Sequence, residues 1–295
     1  MAVSPRDLMV LVVALLAVST SGPLIAAAAA VPALAIAFWR NAMAGAVLAP
    51  VVLLRRRSEL RSLDRRERRL ALLAGLMLAL HFGTWIPAIS YTSVASATAL
   101  VATQPVWSAL IGKARGESVP TRVWLGIVVS LLGALLLTGA DLTVSGEALL
   151  GDGLAVLGGV FAAAYMTTGS EVRRSVSTTT YTAICYSTTA VLLGLVCLVF
   201  RQELTGYDGE DWLKLVALTA GAQLLGHSLF NVVLRTTSPT VVSLSILFEI
   251  PGAALIAALF VAGQSLSWLA LPAVLLLLAG LAIVISGGRE AAPVE

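Results

Sequence analysis

Ten long apolar runs, joined by short polar connections, constrain the fold of this 295-residue chain more than any other feature. A helix that crosses a bilayer needs roughly 20 apolar residues. The runs are continuous and lack the alternation of polar and apolar residues that is typical of a membrane β-strand. They therefore predict an all-α membrane protein with ten transmembrane helices. The predicted spans are Leu8–Ala28, Pro32–Leu54, Leu70–Ile89, Val94–Leu110, Val123–Gly139, Leu150–Thr168, Tyr181–Phe200, Trp212–Leu234, Val241–Val261 and Leu266–Ile285.

The composition agrees with a chain that folds in lipid. Hydrophobic residues make up 58% of it and charged residues 12%, whereas a soluble domain is nearer a quarter charged. Arg6 and the first apolar run are compatible with a signal peptide, but nine further spans follow, so we interpret the run as an uncleaved helix. Cys185 and Cys197 have neither disulfide nor metal spacing. We expect them to pack in apolar surroundings, and we expect no metal and no cofactor.

The distribution of basic residues predicts the orientation of the chain. With the N-terminus in the cytoplasm, 16 of the 19 lysines and arginines lie on the cytoplasmic side, including eight arginines between Arg55 and Arg69 and the pair Arg173 and Arg174. The connections on the other side are acidic. Because positive charge is retained on the cytoplasmic side, we predict that both termini are cytoplasmic, in the cytoplasmic membrane of a bacterium. The arginine cluster is interpreted as a cytoplasmic loop and not as a nucleic-acid site.

Matched residues at a constant offset predict an internal repeat. His81 and His227 are 146 residues apart, and Pro105 and Pro251 repeat that interval. We therefore predict two five-helix units, residues 1–145 and 146–295. Because five is odd, the second unit enters the membrane from the opposite side, which gives the inverted repeat of secondary transporters, with substrate bound near the midplane.

Two longer stretches resemble a known family. The sequence QPVWSALIGKARGESVPTRVWLGIVVSLLGALLL, with its proline, its Gly-Glu pair and its glycine-spaced helix, resembles the repeat of the EamA family in the drug/metabolite transporter superfamily. FEIPGAALIAALFVAGQSLSWLALPAVLLLLAGLAIVI resembles a second copy, with Gln264 where glutamate is usual, and PALAIAFWRNAMAG places Arg40 at a position usually held by arginine. The resemblance implies two bundles around a central cavity, with the fifth and tenth helices outside the ring.

Glu249 is the only acidic residue deep inside a predicted span. A carboxylate there costs about 2.5–3.5 kcal/mol on insertion scales, so we expect it to face protein or water. The functional interpretations are a proton-coupling site and a counter-charge for a substrate ammonium group. The structural ones are a pair with a cation such as Arg40 and a hydrogen bond that holds a broken helix. For Arg40 itself the alternatives are an outward-reaching side chain, a structural contact, or a substrate contact.

Pro105 and Pro251 each remove one backbone hydrogen bond inside a predicted span. The freed carbonyls, those of Val101 and Leu247, need other partners or a wet cavity. Matched interruptions in the two halves of a transporter indicate its binding site. We therefore predict helix breaks with a gating role, with a packing kink as the alternative.

Polar and aromatic side chains recur at four-residue spacing on equivalent spans. Each pair alone is an ordinary interhelical hydrogen-bonding face, but four such faces from both halves predict a shared aqueous cavity. For the histidines, cavity lining without proton transfer is preferred to a proton relay. The predicted lining is His81, Trp85, Thr103, Trp107, Tyr165, Gln223, His227, Asn231, Ser245 and Glu249.

These features together predict a secondary transporter that exports small metabolites, with amino acids as the preferred cargo. Aromatic surface, one acidic group and neutral donors suit an amine and a carboxylate, whereas a buried basic cluster for phosphate is not expected. The alternatives are a proton-coupled exporter of hydrophobic cations and, from another class, a membrane-embedded enzyme that acts on lipid. The chain lacks the HExxH and P-loop motifs. Predicted partners are the small-molecule substrate and the bilayer, with no nucleic acid, and the oligomeric state stays open.

Overall fold

The computed structural model of the protein describes residues 4–92, 94–138, 146–260 and 268–286. Within these ranges the chain is helical and contains no strand. The helices are α1 (Pro5–Val18), α2 (Ser21–Ala27), α3 (Ala33–Arg55), α4 (Arg57–Ser62), α5 (Arg65–Tyr91), α6 (Val94–Val101), α7 (Gln104–Ala114), α8 (Thr121–Thr138), α9 (Gly146–Val172), α10 (Thr178–Val199), α11 (Gly209–Leu218), α12 (Ser228–Val233), α13 (Pro239–Ile246), α14 (Glu249–Phe260) and α15 (Ala270–Ser286), with a π-helical segment (Thr219–His227) between α11 and α12.

The helical stretches confirm the predicted membrane class. Seven stretches among the described residues are long and apolar enough to cross a bilayer, and Thr121–Leu136 and Ala270–Ile285 are shorter apolar helices. The predicted fourth span is divided between α6 and α7. The predicted span ends at Gly139, Val261 and Leu266, and Gln264, lie outside the described residues. The count of ten membrane helices and the side of the termini stay predictions.

Capping residues define several of the helix starts. The Asp64 side chain accepts from the backbone N–H of Glu67, and the Glu67 side chain accepts from that of Asp64, which is a capping box at the start of α5. Ser177 and Asp208 cap α10 and α11 in the same side-chain-to-backbone manner. Such caps satisfy N–H groups that would otherwise lack partners, which matters most where the helix enters lipid.

Both prolines at which the sequence predicts a helix break lie in the first turn of a new helix. α6 ends at Val101 and α7 begins at Gln104, with Pro105 in its first turn. α13 ends at Ile246 and α14 begins at Glu249, two residues before Pro251. A proline has no N–H to continue the preceding helix but fits the first turn of the next one. The two breaks are therefore located where the sequence predicted an interruption.

The freed carbonyls at the breaks are accommodated differently. The Leu247 carbonyl accepts from the N–H of Ile250 at 3.2 Å. The Val101 carbonyl lies against α9, where a Cβ on Gly159 would come within 3.0 Å of it. Glycine at this position permits the two backbones to approach.

The long helices α5, α9 and α10 form the centre of the bundle. α5 packs against α9 and α10, α3 packs against α10, α1 packs against the π-helical segment, and α7 contacts α13. α8 and α15 pair with each other. A Cβ on Gly126 would lie 2.6 Å from the carbonyl oxygen of Gly280, so this pair depends on close backbone approach, a common form of helix association in membranes.

Candidate functional site

A cavity with an empty volume of about 750 Å³ lies among helices from both halves of the chain. Both helix breaks contribute to its wall, through Ala102 and Leu247. α8 and α15 contribute no residue to it. The lining residues are Val18, Ser21, Leu78, His81, Phe82, Trp85, Thr98, Val101, Ala102, Gln104, Ala162, Tyr165, Met166, His227, Phe230, Ser243, Ile246, Leu247, Glu249 and Ile250.

The structure brings half of the predicted lining residues together in this wall. These are His81, Trp85, Tyr165, His227 and Glu249. The other predicted residues lie outside the lining, in hydrogen bonds with neighbouring helices or within their own helix. These are Thr103, Trp107, Gln223, Asn231 and Ser245.

The two histidines meet on one aromatic face of the cavity. His81 Nδ1 is 2.9 Å from the carbonyl oxygen of Gly158, and the imidazole is parallel to the Trp85 ring, with 5.9 Å between ring centroids. His227 contacts the ring of Phe82 edge-on, with 5.5 Å between centroids. The wall here therefore offers flat aromatic surface together with imidazole nitrogen atoms.

Glu249 is the acidic residue of the cavity wall, at the first position of α14. Within the part of the chain that the structure describes, no hydrogen bond or salt bridge to its carboxylate is formed. The guanidinium of Arg40, the partner considered for it, donates to other groups. The structural pairing of Glu249 with Arg40 is thus not a direct one.

Arg40 lies behind the cavity wall and is completely buried. Its Nε donates to Gln223 Oε1 at 2.9 Å, and its Nη1 lies 3.3 Å from Ser21 Oγ. The guanidinium carbon is 4.2 Å from the centroid of the Phe82 ring. Among the described residues Nη2 has no hydrogen-bond partner. The outward-reaching alternative for Arg40 is therefore wrong, because these contacts hold the guanidinium inside the bundle.

Gln223 is occupied by this arrangement and is absent from the cavity wall. Its Oε1 accepts from Arg40, and its Nε2 donates to Asn41 Oδ1 at 3.1 Å. A buried cation needs acceptors close to it. The amide at position 223 supplies one of them, which explains why it turns from the ligand space towards α3.

Arg173 departs most from the sequence-based expectation. It was expected in a cytoplasmic loop, but it is completely buried at the end of α9. Its Nη1 donates to Asn231 Oδ1 at 2.6 Å, and its guanidinium lies over the Tyr181 ring at 4.6 Å. The side chain folds back along α9: a Cβ on Gly169 would lie 2.5 Å from Nη1. A glycine one turn before the arginine was the only signal of this in the sequence.

Asn231 connects Arg173 to the cavity wall. Its Nδ2 donates to the Tyr165 hydroxyl at 2.7 Å and to the His227 carbonyl at 2.8 Å. Asn231 therefore lies one layer behind the cavity, between a buried cation and two residues that line it. It positions Tyr165 and does not face a ligand itself.

Thr103, Trp107 and Ser245 satisfy their polar groups along their own helices. The Thr103 hydroxyl donates to the Leu100 carbonyl at 2.6 Å and accepts from Trp107 Nε1 at 3.1 Å. The Ser245 hydroxyl donates to the Val241 carbonyl at 3.0 Å. Hydroxyl groups commonly bond to the carbonyl one turn earlier in a helix, so a polar stripe by itself does not require a wet neighbour.

Gln104 and Ser243 line the cavity but were not predicted. Gln104 Nε2 donates to Ser243 Oγ at 3.1 Å, and the hydroxyls of Ser108 and Ser243 are 2.9 Å apart. These contacts join α7 to α13, one from each half of the chain. The position of Gln104 directly before Pro105 was the one sequence cue, although Thr103 at the same break lies outside the lining.

Comparisons with known proteins agree with this architecture. The model of the EamA-like transporter family matches the chain twice, at residues 6–139 and 149–286. No curated protein matches it. One solved crystal structure that is 21% identical in sequence has a TM-score of 0.79 and covers 98% of this chain and 99% of that chain. At that identity the likeness concerns the fold.

Proposed function

Because this chain belongs to the EamA-like transporter family, we propose that it is a secondary transporter that exports amino acids across the bacterial cytoplasmic membrane by alternating access. The observation that carries the proposal is the cavity between the two halves of the chain, with a carboxylate in its wall that no described residue binds. A charge inside a membrane bundle without a partner is costly. A cationic group of a substrate offsets that cost during each transport cycle.

The lining supports a small amphiphilic substrate. Glu249 suits an ammonium group, the hydroxyl of Tyr165 suits a carboxylate, and the faces of Trp85 and Phe82 suit an apolar side chain. Arg40 lies behind Ser21 and Phe82 and adds positive potential without occupying the ligand space.

The helix breaks support alternating access. Discontinuous helices in matched positions of two repeats are typical of transporters in which the halves move about a site near the midplane. Here Pro105 and Pro251 lie at such breaks, next to cavity-lining residues. The inverted relation of residues 1–145 to 146–295 belongs to this proposal.

A second candidate is a proton-coupled exporter of hydrophobic cations. Most of the lining residues are apolar or aromatic, and the one carboxylate among them is able to bind a proton and an organic cation in turn. Both candidate functions involve Glu249, but its role differs between them. In the amino-acid exporter the carboxylate holds the substrate amine, whereas in the cation exporter it also couples transport to the proton gradient.

Transport into proteoliposomes that are preloaded with amino acids, with and without a pH gradient, separates the candidates. For an amino-acid exporter, Glu249→Gln raises the substrate concentration at half-maximal exchange, but flux down the substrate gradient persists. For a proton-coupled exporter, the same substitution abolishes uptake driven by the pH gradient.

The matched control is Glu203→Gln, which removes a carboxylate from an exposed connection. If no amino acid exchanges and quaternary ammonium cations do, the amino-acid proposal is wrong. A covalently altered product in the same vesicles would favour the lipid-enzyme alternative, and flux that never saturates would favour a channel.

A further inference from the structure

A second cleft lies at the arginine-rich end of the bundle, separate from the cavity. Its empty volume is about 790 Å³. It is formed by α4, the connection after it, the first turns of α5, and α10. The lining residues are Leu60, Arg61, Leu63, Arg68, Leu72 and Ile184.

The cleft is held open by contacts of the short helix α4 with α10. The Glu59 carboxylate accepts from the backbone N–H of Ser177 at 2.7 Å and from its hydroxyl at 2.8 Å. The Thr180 hydroxyl donates to the same carboxylate at 2.7 Å. These bonds tie α4 to the start of α10, so the cleft beside them is a built feature of the fold.

Two arginines border the cleft without a carboxylate partner among the described residues. Arg68 donates through Nε and Nη2 to the Leu63 carbonyl, at 2.9 and 2.7 Å, which fixes the direction of its guanidinium. Arg61 is exposed, two residues after Glu59. Two cations at one opening favour an anionic ligand.

Three other arginines at this end of the bundle have carboxylate partners. Arg66 and Arg115 form salt bridges with Glu171, and Arg56 forms one with Glu59. The carboxylates close by are therefore occupied elsewhere. Among the described residues, no carboxylate forms a salt bridge with Arg61 or Arg68.

The remainder of the cleft is apolar and continues along the bundle surface. Leu63 is buried, and Leu72 is half exposed, at 50%. Leu76, one turn further along α5, is also exposed to the surroundings of the bundle. Positive charge at the opening and an apolar surface that leads towards the membrane interior complement an anionic headgroup with its acyl chain.

We propose that this cleft binds one anionic glycerophospholipid from the leaflet on the arginine-rich side. The lipid phosphate lies between Arg61 and Arg68, and an acyl chain follows Leu72 and Leu76. Basic pockets between membrane helices are suited to such headgroups. A zwitterionic lipid carries its own cation and gains less from the two arginines, so the site selects for net negative charge.

The test is lipid retention by the purified full-length protein, measured by native mass spectrometry after equilibration with mixed phosphatidylglycerol and phosphatidylethanolamine of equal chain length. We expect one phosphatidylglycerol to be retained by the wild-type protein. In the double variant R61Q/R68Q its affinity falls by about five-fold for each arginine removed. The single variant Arg61→Gln, at an exposed position, shows a five-fold loss even if the double variant misfolds.

The matched control is R57Q/R65Q, which removes the same charge from exposed positions of α4 and α5 outside the cleft lining. Its retention of phosphatidylglycerol stays within two-fold of wild type. Equal losses in the two double variants, or equal retention of the two lipids by wild type, would overturn the proposal. Displacement of the lipid by millimolar inorganic phosphate would also overturn it, in favour of a free-phosphate site. Because the readout is lipid retention, the result is independent of the transport proposal.

Discussion

The charged side chains at and behind the cavity wall, those of Arg40, Arg173 and Glu249, lie in different surroundings. Arg40 and Arg173 bind neutral side-chain oxygens and lie against aromatic rings. Glu249 lies in the cavity wall with no bond from a described residue. Since an ion in lipid is stabilised by close partners, we infer that the two arginines are structural, and we expect Glu249 to be the charge that a ligand meets first.

A substitution of Asn231 tests whether Arg173 has a structural role. Asn231→Leu removes the acceptor for Arg173 Nη1 and the donor to the Tyr165 hydroxyl. Because it leaves a buried cation without its partner, we expect a loss of about 3–5 kcal/mol in the free energy of unfolding. The midpoint of thermal unfolding in detergent measures it.

Asn231→Asp is the conservative comparison, because a carboxylate retains an acceptor for Arg173. We expect it to unfold at a higher temperature than Asn231→Leu. A leucine variant as stable as wild type would show that Arg173 does not depend on position 231.

The broken helices are the elements that organise the cavity. α6 and α7, and α13 and α14, each turn the backbone where a proline begins the second helix of the pair. Gln104, Ser108 and Ser243 then join α7 to α13 across the two halves. If the halves move relative to each other during transport, this polar contact is a place where they must separate.

A reversible crosslink tests that motion. In a variant with Cys185 and Cys197 replaced by alanine, S108C/S243C places thiols where two hydroxyls are 2.9 Å apart. We expect oxidation to lower the transport rate in proteoliposomes at least ten-fold, because the disulfide locks α7 to α13. A reductant should restore the rate. The single variants S108C and S243C serve as controls. Unchanged flux in the oxidised double variant would contradict movement at this contact.

The long helices were predicted from the sequence more successfully than the irregular segments. Apolar runs of sufficient length predicted the seven long spans, because lipid imposes a minimum length on any helix that crosses it. The turn between α6 and α7 was also foreseen, since proline cannot continue a helix. The π-helical segment Thr219–His227 was not, because no residue type requires this geometry and it arises from packing.

At the scale of the whole molecule, the family match in two copies supports two repeats, and the charge distribution predicts their orientation. Arginines are concentrated between Arg55 and Arg69, whereas the connection around Glu203 and Asp208 is acidic. Retention of positive charge in the cytoplasm is a rule about the chain as a whole. A test must therefore compare the arginine-rich end of the bundle with the acidic end.

Accessibility labelling provides this comparison. With the two native cysteines replaced, Thr205→Cys lies in the acidic connection and Ser58→Cys in the arginine-rich one, both at exposed positions. We expect a membrane-impermeant maleimide to label Thr205→Cys in intact cells, and Ser58→Cys only after the membrane is permeabilised. The reverse pattern would show that the chain is oriented oppositely, and would place the proposed lipid site in the other leaflet.

The sequence by itself determined that this protein folds in a lipid bilayer, how long its long helices are and where two of them break. These properties follow from the cost of exposing backbone polar groups to lipid. Only the tertiary structure decided which polar side chains face the cavity. Gln223 and Asn231 lie on the same stripe as His227, yet they bind Arg40 and Arg173, and only His227 reaches the cavity wall. A polar residue on a membrane helix must satisfy its hydrogen bonds, but a neighbouring helix does so as well as water or a ligand, and the arrangement of the helices makes that choice.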